Sequence, residues 1–398
     1  MIKSEILSVF NRVFGLVSAL LLVIMNLHFV HVEGQGTIAL INFGILIVAT
    51  LSQFIGGGAL IFLIPRIGED KIIFPALVWI SISVPLTSLL LFALNAPFIS
   101  FTLILGAMQA VFVLQQMILL GKEKILSYQL LLLAQSLASL VFVGTFYFTT
   151  NWGVFAFISG QLIAFSITAG VGFFLTKEVW NKFQLKVSKE NLYTITKLGG
   201  YAQMANVFHL GNQRSYLYFL ENTGAEGKVF AGVFSILLYV AEALWTVAKS
   251  LSFILASKVA QTNNFQEHVS LMKRYLLLGV LTSVLGSICF LVLPNSWIAP
   301  YVNYNIAFIK EGLFFLVPGI IANTINVAIT HLFSGRGLHK YNFTSAALGF
   351  GVAIICAAIL TPQHHVNGAA VAASAAFIAQ CLTQIFFFVR LKHQVQSV

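Results

Sequence analysis

Apolar positions along this chain of 398 residues run together in long stretches separated by short polar breaks, with neither strand-like alternation nor the single apolar stripe of a surface helix. A hydrocarbon core about 30 Å thick takes roughly 20 apolar residues per helix. Twelve stretches meet that length, at 6–30, 38–64, 72–94, 98–120, 125–148, 154–175, 201–220, 230–255, 275–293, 306–333, 343–360 and 368–389. The pattern predicts an all-α polytopic membrane protein with twelve transmembrane helices. A β-barrel is excluded, because it would alternate at period two with a turn about every ten residues. The first stretch follows Lys3 as a signal peptide would, but it is too long, lacks a small-residue cleavage site and is followed at once by another span.

Composition agrees: 59% of residues are hydrophobic and 9% charged, far from the balance of a soluble domain. The net charge of +10 comes from cations placed at alternate breaks. Of 22 basic residues, 18 fall on one side of the expected topology, with only Lys228 and Lys310 on the other and Arg214 and Lys249 inside spans. This bias predicts both termini in the cytoplasm and an even number of spans. The basic balance is a topological signal and does not point to nucleic acid. Cys289, Cys356 and Cys381 all sit in apolar runs and read as small core residues.

The breaks also reveal a repeat. LLGKEKILSY, with Gly121, Lys122 and Tyr128, matches FSGRGLHKYN, with Gly335, Arg336 and Tyr341; one span later NWGVFAF at Gly153 matches VNGAAVA at Gly368. The offsets are 214 and 215 residues, so the register holds over more than one span. An even number of spans separates the matches, which predicts two six-helix bundles in the same orientation, related by a pseudo-two-fold axis along the membrane normal, with a substrate cavity between them. The expected division is 1–176 for the first bundle, 177–198 for a cytoplasmic amphipathic linker with lysines among Val179, Trp180, Phe183, Leu185 and Val187, and 199–398 for the second bundle.

Several chemistries lack their motifs. There is no phosphate-binding loop of the G-x-x-x-x-G-K-[ST] type, no H-E-x-x-H, no paired cysteines and no G-x-S-x-G. No metal or cofactor is expected, and His364 and His365 read as a surface turn. The outer breaks are short, so a membrane enzyme that grips glycans there is disfavoured.

The spans themselves carry polar side chains at helical spacing. Asn42 and Gln53 lie in the second span, Gln109 and Gln116 in the fourth, Gln203, Asn206 and Gln213 in the seventh, and Asn323, Asn326 and Thr330 in the tenth. Each alone is most simply a hydrogen bond between helices. As a set they suit a wet surface for a neutral, hydroxyl-rich group attached to an anion. Charges at such depth cost a few kcal/mol or more. Arg214 lies six residues inside the outer end of the seventh span, about 9 Å deep at 1.5 Å per residue, so reaching the interface is open to it. Arg12 stands near the inner end of the first span. Glu242 lies near the middle of the eighth, with Lys249 seven residues further on the same face. Glu242 is placed to bond Arg214, to hold a coupling proton, or to stay neutral as a structural acid.

The stretches GTIALINFGILIVATLSQFIGGGALIFLIPR, GGYAQMANVFHLGNQRSYLYFL and GVFSILLYVAEALW resemble the polysaccharide-transporter branch of the multidrug/oligosaccharidyl-lipid/polysaccharide (MOP) export superfamily, and within it the O-antigen type of lipid-linked oligosaccharide flippase. The resemblance runs along the whole chain. It implies alternating access by two six-helix bundles and a cationic site for the headgroup of an undecaprenyl-pyrophosphate glycan. The matching cations are Arg12 in NRVFG and Arg214 in NQRSYL. Relatives often carry an acid just after the second arginine, where this chain has Ser215, Tyr216 and Leu217.

These readings together predict a bacterial inner-membrane flippase for surface-polysaccharide repeat units. Arg214, Arg12 and Lys249 are expected at the pyrophosphate; Gln53, Gln109, Asn206, Asn323 and Asn326 at the sugars; and Glu242 as a coupling candidate. Expected partners are the polyprenyl-pyrophosphate-linked glycan, membrane lipids and a glycan polymerase or other assembly proteins. The alternatives are a MATE-like drug or cation antiporter and, from another class, a membrane glycan polymerase or acyltransferase.

Overall fold

The computed structural model describes residues 2–55, 60, 63–64, 68–180, 189–261, 264–301 and 304–396, and every regular element among them is helical. Nine of these helices are long and apolar enough to cross a membrane. Two of the nine are bent rods that each hold two spans. Ile2–Ser52 carries the first and second spans and leaves helical geometry only at His31 (φ 58°, ψ −174°). His339–Gln396 carries the eleventh and twelfth and does so only at His365 (φ 47°, ψ −123°). The remaining span, the seventh, is Lys189–Arg214 continued by Tyr216–Glu221. Twelve spans result, as the hydropathy pattern predicts.

The bends replace two loops that hydropathy suggests at 31–37 and 361–367. Across the first, Asn26 Nδ2 donates to Gln35 Oε1 at 2.8 Å, and Tyr147 Oη donates to Asn26 Oδ1 at 2.8 Å. Internal bonds of this kind let helix continue through polar residues. At the second bend the His365 ring stacks on Phe230 with centroids 4.4 Å apart. A Cβ on Gly368 would lie 2.2 Å from the Leu360 carbonyl oxygen, so glycine is required there by close approach.

The repeat is visible in backbone detail. The fourth span, Ile99–Gly121, and the tenth, Ile306–Gly335, end in the same capped turn. Lys124 N donates to Leu119 O at 2.9 Å and Leu338 N to Phe333 O at 2.8 Å, around Glu123 (φ 56°) and Gly337 (φ 72°). All of these pairs are offset by 214 residues. This six-to-one bond over one left-handed residue satisfies carbonyls that a helix end leaves open. The turn one span later differs from the sequence match. The backbone counterpart of Gly153 (φ 56°, ψ −126°) is His365, not Gly368.

The chain forms two compact units, Met1–Val207 and Phe208–Val398. In the first, glycines bring spans into close contact. A Cβ on Gly160 would lie 2.6 Å from the Val143 backbone, so the fifth and sixth spans meet at van der Waals limits. Small residues of this kind let membrane helices approach where no hydrophobic driving force exists. Polar ties complete the packing, including Asn11 Nδ2 to Gln129 Oε1 at 2.9 Å and Ser52 to Ser83 at 2.8 Å. The start of the 177–198 segment is a helical turn, Lys177–Trp180, whose Val179 is buried in one cluster with Leu60, Ile72, Ile118 and Ile195. Glu178 pairs with Lys124 at 2.9 Å, and Lys122 with Glu69 at 2.9 Å. Residues 181–188 lie outside the described residues.

In the second unit, Gly279 packs on Ala248 and Thr324, and Gly319 on Ser374. Cys381 is buried, whereas Cys289 is exposed, so the three cysteines do not form one class of core residue.

Candidate functional site

The stretch HLGNQRSYLYFL, 209–220, is where the second unit's polar chemistry gathers. It packs tightly because Gly211 has no side chain: a Cβ there would fall 2.4 Å from the Phe350 ring. Tyr216 is fully buried with its ring 5.6 Å from Phe234, and Leu217 and Leu220 are fully buried beside it. Arg214 is thereby carried inward and is only 8% exposed. Its guanidinium turns onto a neighbouring helix. One terminal nitrogen donates to Oε1 of Glu242 on the eighth span, Gly227–Gln261, in an ion pair. Of the three roles open to Glu242, bonding Arg214 is the one the structure shows.

The two partners differ in access. The Arg214 side chain is 9% exposed and that of Glu242 31%. A guanidinium carries five N–H donors, cannot lose its proton and matches phosphate or carboxylate oxygens in a bidentate fork. Only one side-chain hydrogen bond engages it among the described residues.

A second polar group surrounds this pair's helix. Asn212 Nδ2 donates to Gln380 Oε1 on the twelfth span at 2.9 Å, and Tyr216 Oη reaches Asn212 Oδ1 at 3.5 Å. Gly349 allows this junction, since a Cβ there would lie 3.0 Å from both Asn212 Nδ2 and Gln380 Cβ. His209 Nε2 and Gln213 Nε2 lie 2.9 Å apart in a hydrogen bond one turn from Arg214. Lys249 itself is exposed, two turns beyond Glu242 on the same helix. Gln380 is absent from the sequence-based set. Its partner Asn212 is 168 residues away, and no local pattern links them.

The other expected site residues lie in separate places. Asn323 and Asn326 are 0% and 1% exposed inside the second unit. Asn326 Nδ2 donates to Phe377 O at 3.1 Å, while Asn326 Oδ1 and both polar atoms of Asn323 have no hydrogen-bond partner among the described residues. In the first unit, Thr50 O accepts from Gln53 N at 3.2 Å and from Gln203 Nε2 at 2.7 Å; Asn206, exposed, donates to Gln203 Oε1 at 3.2 Å. Gln203 thus links Asn206 to the backbone at Thr50, and Gln53 enters only through its main-chain N–H. Gln109 is half-buried in the fourth span. The side chain of Arg12 lies outside the described residues.

No protein-family model matches this chain, and no curated protein matches it. Solved structures do. An inward-facing multidrug-resistance MATE family transporter of the MOP superfamily superposes with a TM-score of 0.73 at 12% identity, over 97% of this chain and 96% of that one. The lipid II flippase MurJ, in an inward closed conformation, superposes with a TM-score of 0.74 at 17% identity, over 98% of this chain and 87% of that one. A Vibrio cholerae MATE transporter, VcmN, gives 0.68 at 14% identity over 98% and 97%. The chain is a multi-pass membrane protein with the fold of these MOP-superfamily transporters, twelve helices in two six-helix bundles.

Proposed function

We propose that this protein is a lipid-linked oligosaccharide flippase of the bacterial inner membrane, with both termini cytoplasmic, serving surface-polysaccharide assembly. The observation that carries this reading is Arg214: a buried guanidinium, held by one carboxylate, in a helix otherwise rich in amides. It is the kind of group that recognises pyrophosphate, and Lys249 and Arg12 are assigned with it. The amides Gln53, Gln109, Asn206, Asn323 and Asn326 are assigned to the sugars, and Glu242 to the control of Arg214. The polyprenyl tail stays in the bilayer.

The direction of transport is energetically consistent. Each negative charge moved outward across an inside-negative membrane gains about 2.3 kcal/mol per 100 mV, so an anionic headgroup needs no nucleotide hydrolysis by this chain. Likeness to a flippase and to MATE transporters supports a transporter over an enzyme.

A cation-coupled drug antiporter is the second reading, because MATE transporters share the fold equally well. The charge inventory supports the flippase reading. Buried cation sites call for unpaired membrane acids, and Glu242 is already taken up by Arg214. Purified protein in proteoliposomes, loaded with a fluorescent polyprenyl-pyrophosphate glycan, tests the proposal. Wild type is expected to make the glycan accessible in the opposite leaflet and Arg214→Gln, correctly folded, is not. Dye efflux driven by a cation gradient, with no glycolipid movement, establishes the antiporter instead.

A further inference from the structure

We infer that Glu242 is a displaceable counter-anion: it occupies the Arg214 guanidinium when no substrate is bound, yields it to an incoming diphosphate, and takes it back to release the anion. The inference rests on the flippase reading for the identity of that anion, but the exchange itself rests on the geometry of the pair.

Arg214 is buried and permanently charged, so an anion must face it in every state of the transport cycle. Glu242 is the acid that does so here. It holds the guanidinium through a single terminal nitrogen, leaving the other N–H donors for further oxygens. Its side chain is also the more exposed of the two, 31% against 9%. The carboxylate can therefore swing toward water while the guanidinium stays fixed by the packing of Gly211, Tyr216 and Leu217. A diphosphate brings more charge and more acceptor oxygens than one carboxylate and wins the competition on contact. Lys249, exposed about 10 Å further along the same helix, adds positive potential on that open side. Without a competing anion, Arg214 would bind a diphosphate and keep it. Glu242 makes binding reversible.

The test uses the full-length protein in nanodiscs with two probes, farnesyl pyrophosphate and inorganic pyrophosphate, titrated calorimetrically. Glu242→Gln keeps a hydrogen-bond acceptor for Arg214 but removes the competing charge. It is expected to tighten both probes at least about tenfold, equivalent to about 1.4 kcal/mol, and to lower KM and kcat together in the proteoliposome assay. Arg214→Gln is expected to abolish probe binding. If Glu242→Gln assembles poorly, Glu242→Asp, with its carboxylate on a shorter arm, is expected to tighten binding by a smaller factor. Unchanged or weaker binding in a correctly folded Glu242 variant overturns the exchange. Normal glycolipid transport with unaltered KM in Glu242→Gln leaves the flippase reading standing and removes the exchange. Tightening for both probes without any glycolipid transport by wild type keeps the exchange and removes the flippase reading. Binding of neither probe to any of the proteins sinks both.

Discussion

Removing Glu242 leaves Arg214 as a buried charge without a counter-ion, and the size of that effect follows from the structure. Breaking a fully buried ion pair by deleting one partner costs about 3–5 kcal/mol. Here the arginine is 9% exposed, but the glutamate side chain is 31% exposed. Water and lipid headgroups on the open side reduce the cost, so Glu242→Ala is expected to destabilise the second unit by about 2–3 kcal/mol. Arg214→Leu is expected to cost less, because the stranded carboxylate is 31% exposed and can reach water, whereas the buried guanidinium cannot and keeps its charge. The double variant removes both charges and is expected to lie close to wild type, since replacing a buried pair by apolar groups is often neutral. The resulting coupling, the sum of the two single costs, is about 3–5 kcal/mol, well above the additivity error of about 0.5 kcal/mol. Steric trapping or forced unfolding in bicelles reads these values directly. Additive single costs, with the double variant worse than either, would show that the two residues stabilise the helices through packing and that the pair carries no electrostatic meaning.

Three further outcomes follow from other parts of the molecule. Val179→Ser is expected to cost about 2–3 kcal/mol and release the Lys177–Trp180 turn to protease, because Val179 is 1% exposed; Glu178→Ala, which breaks a surface pair of 58% exposed Glu178 with Lys124, is expected to cost under about 1 kcal/mol and only at low salt, and the reverse ranking in thermal unfolding would refute that division. Glu123→Gly is expected to stabilise by about 0.5–1 kcal/mol and Gly337→Ala to destabilise by about 1 kcal/mol, because both positions hold a left-handed backbone; similar melting shifts for the two would deny that the turns are equivalent. His268, at the N-terminal end of the helix Phe265–Val292, has its pKa lowered first by burial and then by the neighbouring Arg336, with Glu267 acting the other way. Arg336 Nη1 meets His268 Nδ1 at 3.4 Å and stacks over Phe265. The folded state resists a proton that the unfolded state accepts below about 6.5, so this contribution is present above that pH and is lost as pH falls toward the folded value. Melting temperature is expected to fall between pH 7.5 and 5 in wild type by more than in His268→Gln, and equal slopes would remove His268 from the pH response.

Span count and internal repeat were legible in the chain because each is a one-dimensional property. Hydrocarbon sets the length of an apolar run and lipid forbids unpaired backbone, whatever the neighbours. The duplication was legible too, since the turn after Gly121 and the turn after Gly335 share residues whose spacing fixes the cap. Element ends were less legible. Helix runs on through polar residues at Glu33–Gly36, bent only at His31, and the seventh span begins at Lys189 where hydropathy begins at 201, because hydropathy reports contact with lipid and helix reports hydrogen bonding.

What the sequence could not decide was who faces whom. Whether Arg214 snorkels outward or turns inward depends on Gly211 admitting Phe350 and on Glu242 standing opposite from another span, 28 residues on. Asn212 and Gln380 meet at 2.9 Å only because Gly349 leaves room for the contact. A guanidinium in an apolar run announces that something must compensate it. Identifying the compensating group takes three dimensions, because electrostatics and hydrogen bonding act over a few ångströms of space and are indifferent to distance along the chain.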